Sequence, residues 1–180
     1  MLSKTNALKL VALAVIVGAA AFLALRQRAP HPLEIGNRAP DFSVPAIPTG
    51  SLGLSSHRQQ VVVLNFWATW CPPCVEEAPS LERFAETVRP EGIAVLGVSV
   101  DEDPRALNDF ISKFHLTFPM GRDPTRALPA RFGTVQFPET YILDRHGRLA
   151  EKVVGPIDWD DPRILSFVRD LARGSLRRGG

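Results

Sequence analysis

The amino-acid sequence predicts an α/β fold with a central mixed β-sheet flanked by helices. Two apolar runs rich in β-branched residues, VVVLNFWA at 61–68 and IAVLGVSV at 93–100, are typical of strands buried on both faces. A segment with apolar residues at helical spacing follows each run, and two short strands and a last helix complete the chain. With 180 residues, the chain is long enough for one domain plus an extension.

The first 28 residues form a separate segment with four basic residues and no acidic ones. Sixteen apolar residues at 10–25 fit a cleaved signal peptide, a membrane-spanning helix or a buried soluble helix. The run ends in Leu-Arg-Gln without a small-residue cleavage site, which favours an uncleaved anchor at 1–28. Two lysines and the α-amino group precede the run and two arginines follow it, so the positive-inside rule places the remainder outside the cytoplasm.

The formal net charge of +2 belongs to this N-terminal segment. Its four basic residues leave 17 basic against 19 acidic residues at 29–180, a net charge of −2. A slightly acidic globular part gives no reason to expect nucleic-acid binding. Three prolines at 29–40 predict a short tether, followed by one domain at 41–174 and a frayed tail at 175–180.

Each element of the domain is predicted from its local pattern. Turn residues at 41–60 separate two short extended pieces, which predicts a hairpin. A helix of about 17 residues begins at Pro72, and a second begins at Pro104 with Asp103 as its N-cap. The apolar faces of these helices comprise Val75, Ala78, Leu81, Phe84, Ala85 and Val88 in the first and Leu107, Phe110, Ile111 and Phe114 in the second.

The C-terminal third of the chain is predicted to complete the sheet. Residues 118–132 contain a short strand and a short helix. TYILD and LAEKVVG form a hairpin across RHGR, whose glycine supplies the positive φ that such a turn needs. DDPRILSFVRDLARG is the last helix, with Arg169 and Arg173 near its C-terminus, where the helix dipole favours cations.

Cys71 and Cys74 are the only cysteines of the chain, and three kinds of site compete for them. A zinc site needs about four ligands, and none of the four histidines has a partner at helical spacing. A structural staple across such a short loop contributes little chain entropy. Redox chemistry fits best, because a helix N-terminus stabilises a thiolate on Cys71. We therefore expect Cys71 to attack and Cys74, about one turn deeper, to resolve, with Pro72 and Pro73 between them.

Several separate motifs resemble the thioredoxin superfamily. The resemblance rests on WCPPC after an apolar strand, on Pro79 in the following helix, and on Phe137-Pro138 before the TYILD strand. Within the superfamily the sequence is similar to the membrane-tethered TlpA/ResA/CcmG (DsbE) group over residues 33–172. IGNRAPDFSV, NFWATWCPPCVEEAPSL and FPETYILDRHGRL carry this closer similarity. The resemblance implies a thioredoxin-like fold with an N-terminal hairpin extension and a central insert around 104–130.

The resemblance also implies roles for residues around the cysteines. Pro138 is expected to be a cis-proline facing the disulfide, and the backbone at Phe137 to pair with an extended substrate. Glu77 is expected to exchange protons with Cys74, the alternative being a solvated helix acid. Asn65 stands where thioredoxins carry a buried aspartate; it either leaves the proton handling to Glu77 or simply satisfies local hydrogen bonds.

Four further side chains near the pair receive expectations of their own. Trp70 is expected to contact substrate, together with Pro72, Pro73, Phe137 and Pro138, whereas Trp67 is expected to pack in the core. Glu76 is expected on the surface. Glu139 is expected either to edge the substrate groove or to be a plain surface acid.

The function that follows is a membrane-tethered thiol–disulfide oxidoreductase that reduces target disulfides, with the Cys71–Cys74 disulfide as its redox centre and no other cofactor or metal. The resemblance implies apocytochrome c or copper-site proteins as targets, in cytochrome c maturation or oxidase copper-site assembly, and a membrane thiol donor of the CcdA/DsbD type. Alternatives are a DsbA-like oxidant and a tethered thiol module that binds Cu(I). A peroxiredoxin is disfavoured, because it needs Thr or Ser where Ala68 stands.

Overall fold

The computed structural model describes residues 13–20, 22 and 32–175 and divides the chain into two units. The described part of the first unit, Met1–His31, is helical. Most of the predicted anchor and all but the first residue of the predicted tail lie outside the described residues. Across the described ranges, no helix has the length and apolar character needed to cross a membrane.

The second unit, Pro32–Gly180, is built on a seven-stranded mixed sheet. Its strand order is β2-β1-β5-β4-β3-β6-β7. Strands β3, β4 and β5 run parallel and every other neighbouring pair is antiparallel, which confirms the predicted mixed sheet and both predicted hairpins. The strands are β1 (Ser43–Ile47), β2 (Ser51–Gly53), β3 (Val62–Trp67), β4 (Ala94–Ser99), β5 (Met120–Arg122), β6 (Glu139–Leu143) and β7 (Leu149–Val154).

Four α-helices accompany the sheet: α1 (Pro72–Val88), α2 (Pro104–Phe114), α3 (Ala127–Phe132) and α4 (Pro162–Arg173). Asp103 and Asp161 cap α2 and α4, each accepting a hydrogen bond from the backbone N–H two residues on, at 2.8 and 2.9 Å. The predicted helices are therefore confirmed, including the start of α1 at Pro72 and the short strand and helix at 118–132.

Strand β3 divides the core between the two faces of the sheet. All six of its side chains are buried, which explains why its sequence is apolar at every position except Asn65 and does not alternate with polar residues. Val63 and Trp67 face a core that includes residues of α1, α2 and α4, whereas Leu64 and Phe66 face a core that includes α3. Asn65 is the polar exception and shares its face with Val63 and Trp67, because side chains alternate along a strand. The same alternation directs Asn65 toward α1.

The N-terminal part of the second unit differs from the prediction. Residues 33–39 belong to the predicted tether, but residues 36–39 are hydrogen-bonded to the β6–β7 hairpin: the Gly36 N–H donates to a β7 carbonyl at 2.7 Å and the Ala39 N–H to a turn carbonyl at 2.9 Å. Ala39 is buried as a result. The Leu33 N–H donates to a carbonyl of α3 at 3.2 Å. The compact unit therefore begins at Pro32, because these backbone groups and small apolar side chains find partners on the hairpin and on α3.

Candidate active site

Cys71 is the N-cap residue of α1, directly after the turn that follows β3. It forms a disulfide with Cys74, and its Sγ accepts a hydrogen bond from the Cys74 backbone N–H at 3.3 Å. Pro72 and Pro73 occupy the first turn, where missing N–H groups cost no helical hydrogen bond; Pro72 is exposed and Pro73 half-buried. The helix N-terminus therefore acts directly on the Cys71 sulfur, the arrangement that stabilises a thiolate.

Accessibility does not distinguish the two cysteines. Their exposed fractions are 5% for Cys71 and 4% for Cys74, so neither residue is clearly the deeper one. The hydrogen bond does distinguish them, since only the Cys71 sulfur sits at the N-cap and accepts the backbone N–H. The assignment of Cys71 as the attacking thiol thus rests on helix electrostatics.

Glu77 lies one turn beyond Cys74 on α1 and is buried, with 4% of its surface exposed. Its Oε1 accepts hydrogen bonds from Asn65 Nδ2 at 3.1 Å and from Trp159 Nε1 at 2.8 Å. Its Oε2 has no hydrogen-bond partner among the described residues. Burial raises the pKa of Glu77 from its usual 4.5 to about 7, although the hydrogen bonds from Trp159, the Ile157 backbone and Asn65 act in the opposite direction.

A small void is lined by both Glu77 and Cys74. Its volume is about 10 Å³, and its walls include Asn65, Cys74, Glu77 and Pro138. The Phe137–Pro138 peptide bond is cis, as the resemblance implied. The structure therefore brings Cys74, the buried acid and the cis-proline together. A group that titrates near neutral pH beside a thiol is suited to proton exchange with it.

Asn65, on β3, links Glu77 to strand β6. Its Nδ2 donates both to Glu77 Oε1 and to Thr140 Oγ1, the latter at 2.9 Å. Asn65 thus satisfies local hydrogen bonds and is also bonded to Glu77, while the transfer of proton handling to Glu77 stays a prediction.

Two tryptophans flank the disulfide in different environments. Trp70 is 55% exposed, and its ring and that of Phe137 pack edge to face with their centroids 6.2 Å apart. The Arg126 guanidinium lies 5.6 Å from the centre of the Trp70 ring. Trp67 is 4% exposed and packs against Phe110 at 5.0 Å. Trp70 and Phe137 therefore form an open aromatic rim beside the disulfide, while Trp67 belongs to the core as predicted.

The expectation for Glu139 is wrong in both of its forms. The side chain is fully buried and neither edges the groove nor lies on the surface. Its carboxylate pairs with Lys152 Nζ at 2.8 Å, accepts the Tyr141 hydroxyl, and accepts the Val135 N–H at 3.2 Å. One cation and two hydrogen-bond donors compensate the burial of this carboxylate. These partners come from other positions in the fold, so the local sequence around Glu139 does not predict that it is buried. Glu76, by contrast, is exposed as predicted.

Two residues of the site were not found from the sequence. Trp159, in the loop before α4, reaches Glu77 from 82 positions away. Asp101, two residues after the end of β4, accepts hydrogen bonds from the Thr69 N–H and hydroxyl, at 3.0 and 2.6 Å, and so holds the turn that leads into Cys71. The available signal was weak in both cases: a lone tryptophan beside a helix start, and an acid at the end of a buried strand.

These groups can carry out one kind of chemistry. A disulfide at a helix N-terminus can be opened by an incoming thiolate and closed again by its partner cysteine, while a neighbouring acid handles the proton. Fold and site together define a thioredoxin-like thiol–disulfide oxidoreductase.

Comparison with known proteins agrees with this class. The AhpC/TSA family profile matches residues 35–152, more than half of the chain, and the protein belongs to this family. A relative named thiol-disulfide oxidoreductase ResA from Oceanobacillus iheyensis is 30% identical over 143 residues, covering 77% of this chain and 73% of its own. ResA of Bacillus anthracis is 28% identical over 123 residues, covering 68% and 71%.

Solved structures give the same result. A putative thiol:disulfide interchange protein DsbE from Chlorobium tepidum superposes with a TM-score of 0.73 at 27% identity, covering 78% of this chain and 99% of its own. The protein is thus an oxidoreductase of the ResA/DsbE type.

The structure also bears on peroxide chemistry. A peroxidatic cysteine would need a hydroxyl three residues earlier, where the buried Ala68 stands. The hydroxyl of Thr69, two residues before Cys71 in the sequence, donates to Asp101. The environment of Cys71 is therefore arranged for disulfide exchange.

Proposed function

We propose that the protein is a membrane-tethered reductase of protein disulfides that works outside the cytoplasm. The observation that carries the proposal is the position of Cys71 at the N-cap of α1, where it is bonded to Cys74, which in turn lies one turn from the buried Glu77. The basic and apolar composition of residues 1–28 supports the tether and its orientation.

The reaction starts from the dithiol form. The Cys71 thiolate attacks one sulfur of the target disulfide, whose S–S bond breaks, and the released target thiolate takes up a proton. Cys74 then loses its proton to Glu77 and attacks the Cys71 sulfur of the mixed disulfide. The second target thiolate leaves, and the Cys71–Cys74 disulfide of the present structure forms. Two electrons pass from the cysteine pair to the target.

The substrate would approach the open rim of the site. Trp70, Phe137 and the exposed Pro72 offer apolar contact beside the disulfide, and the backbone next to Pro138 can pair with an extended segment. The proposed targets are the C-x-x-C-H cysteines of apocytochrome c or the cysteines of a copper-site protein. Since compartments outside the cytoplasm are oxidising, re-reduction requires a membrane dithiol donor, for which the CcdA/DsbD type is proposed.

A trapping experiment with the full chain tests the roles of the cysteines. Reduced Cys74→Ser should accumulate a mixed disulfide through Cys71 with an oxidised C-x-x-C-H peptide, whereas Cys71→Ser should not. A second oxidised peptide with a copper-site cysteine pair distinguishes the two target classes by rate. Trapping by Cys71→Ser instead would reverse the assigned roles, and trapping by neither variant would refute the exchange mechanism.

Two alternatives differ in a measurable property. A DsbA-like oxidant would use the same residues with the opposite direction of electron flow, which the reduction potential decides. A Cu(I)-binding module would have only the two sulfurs to offer, since within the described part of the chain no three His, Cys, Asp or Glu side chains cluster to hold a metal ion. Metal analysis of purified protein, with and without Cu(I), separates this alternative from exchange activity.

A further inference from the structure

The loop between β7 and α4 contributes the side chain of Trp159 to the active site, where it contacts Glu77. Trp159 is 1% exposed, its ring packs 5.0 Å from that of Phe84, and its backbone N–H donates to Ser80 Oγ at 3.4 Å. These contacts fix the indole against α1. Its Nε1 consequently donates to Glu77 Oε1 at 2.8 Å, a distance within the normal range of N–H···O hydrogen bonds.

The carboxyl group of Glu77 is held asymmetrically. Both donors with good geometry, Trp159 and Asn65, bond the same oxygen, Oε1, and Oε2 is left without a partner among the described residues. A protonated carboxyl carries its proton on one oxygen, and an oxygen that already accepts two N–H groups is the poorer site for it. The proton therefore belongs on Oε2, the oxygen available for exchange with Cys74.

We propose that Trp159 is a positioning residue for proton transfer: its indole N–H anchors Oε1 of Glu77, directs the proton to Oε2, and limits how far burial suppresses ionisation of this acid. The proposal rests on the proposed exchange of a proton between Glu77 and Cys74. The present proposal goes beyond that exchange, because it assigns control of the proton to Trp159, in a loop 82 positions away from Glu77 in the sequence.

The groups hydrogen-bonded to Glu77 are neutral, so neutral donors determine how easily this acid ionises. It is bonded by Asn65 from β3 and by Trp159 and the Ile157 backbone from the loop, and it shares the small void with Cys74 and Trp67. Besides Glu77 itself, the cysteines are the titratable groups there, and they do not titrate in the disulfide form. Because no lysine or arginine is hydrogen-bonded to Glu77 in the described part of the chain, the neutral donors set the ease of its ionisation.

The test uses the oxidised full-length protein, in which the cysteines are silent. The carboxyl carbon of Glu77, followed by ¹³C NMR, should titrate near neutral pH in the wild type. Trp159→Phe removes the N–H and should move the midpoint upward by about one to two pH units, the size expected for loss of a hydrogen bond to a charged group. Trp67→Phe is the matched control: Trp67 is also buried in the same core and lines the same void as Glu77, but its Nε1 has no partner among the described residues.

A second measurement needs no substitution. In the wild type the indole proton of Trp159 should shift with the same midpoint as the Glu77 carboxyl carbon, and by more than the indole proton of Trp67. This measurement decides the question even if Trp159→Phe proves too unstable to study. A Trp159 indole that ignores the titration of Glu77, or equal midpoints in the two variants, would overturn the proposal.

The pH profile of disulfide exchange separates the inference from the function on which it rests. If Glu77 exchanges its proton with Cys74, the profile of Trp159→Phe should move in the same direction as its carboxyl midpoint, and that of Trp67→Phe should not. A moved carboxyl midpoint with an unmoved exchange profile would support the assignment of Trp159 and refute the proton exchange between Glu77 and Cys74.

Discussion

Glu77 and Glu139 are both buried near the same end of the sheet, on opposite faces, yet their surroundings differ. Glu139 lies across from β3 and pairs with Lys152, so its negative charge meets a positive one. Glu77 meets only neutral donors, namely Asn65, Trp159 and the Ile157 backbone, and its Oε2 has no close hydrogen-bond partner among the described residues. One acid is compensated and the other is not.

The difference separates a structural role from a chemical one. The carboxylate of Glu139, with Tyr141 and Lys152, holds the segment before the cis-proline through the Val135 N–H and the Gly133 carbonyl. Burial together with the hydrogen bond to Glu139 raises the pKa of Tyr141, so this phenol stays a donor. An uncompensated acid costs folding free energy but titrates near neutrality, as proton exchange requires.

The largest effect is expected from breaking the compensated pair. Glu139→Ala leaves Lys152, whose side chain is only 22% exposed, without its counter-ion and should lower the free energy of unfolding by about 3–5 kcal/mol. Urea unfolding of the oxidised protein measures this loss. The double variant Glu139→Ala/Lys152→Met should recover part of it. A loss below about 1 kcal/mol would mean that the ion pair does not anchor the segment.

The second effect concerns the pH dependence of stability. The pKa of Glu77 is about 7 in the folded protein, whereas a glutamate has its usual pKa of 4.5 in the unfolded chain. The folded state therefore binds this proton more tightly than the unfolded state does. The stabilisation by the protonated group is therefore complete below pH 4.5 and is lost as the pH rises to about 7, by up to about 3 kcal/mol.

Glu77→Gln removes this titration and supplies the control. The difference in unfolding free energy between Glu77→Gln and the oxidised wild type should grow in favour of the variant across that interval. A difference that stays constant with pH would show that Glu77 is not the perturbed acid.

The same substitution sharpens the chemical half of the comparison. Glu77→Gln keeps an oxygen for Trp159 and Asn65 but cannot take a proton, so exchange with a disulfide peptide should slow by about 10²-fold. Single-turnover kinetics of the reduced protein measure this rate. Exposed Glu76→Gln serves as the matched control one position away. Equal rates in both variants would remove Glu77 from the mechanism.

The smallest effect is expected from Tyr141→Phe. The substitution removes a hydroxyl that donates to Glu139 but leaves the ion pair in place, so stability should fall by about 1 kcal/mol. Thermal unfolding reports the change. The pH profile of exchange should not move, because Tyr141 lies on the face opposite Glu77. A moved profile would show that the two faces are coupled.

Local patterns predicted most of the fold. The buried strands, the start of α1 at Pro72 and the cap at Asp103 follow from apolar periodicity and backbone chemistry, which act over a few residues. The cysteine pair and Pro138 were found because short motifs mark them.

Tertiary contacts account for what was missed. Trp159 joins the site only because α4 returns to the face of α1, and Glu139 is buried only because β7 brings Lys152 across from β6. The backbone bonds of residues 36–39 likewise need the finished hairpin. No spacing rule within one segment contains this information.

The reduction potential of the Cys71–Cys74 pair tests the central claim most directly. The full chain can be equilibrated in thiol buffers of defined potential and followed by the fluorescence of the neighbouring tryptophans, Trp67 and Trp70. A potential near that of thioredoxin, about −270 mV, is the predicted result for a reductase supplied with electrons from the membrane. A potential near that of DsbA, about −120 mV, would contradict the proposed direction and make the protein an oxidant of its targets.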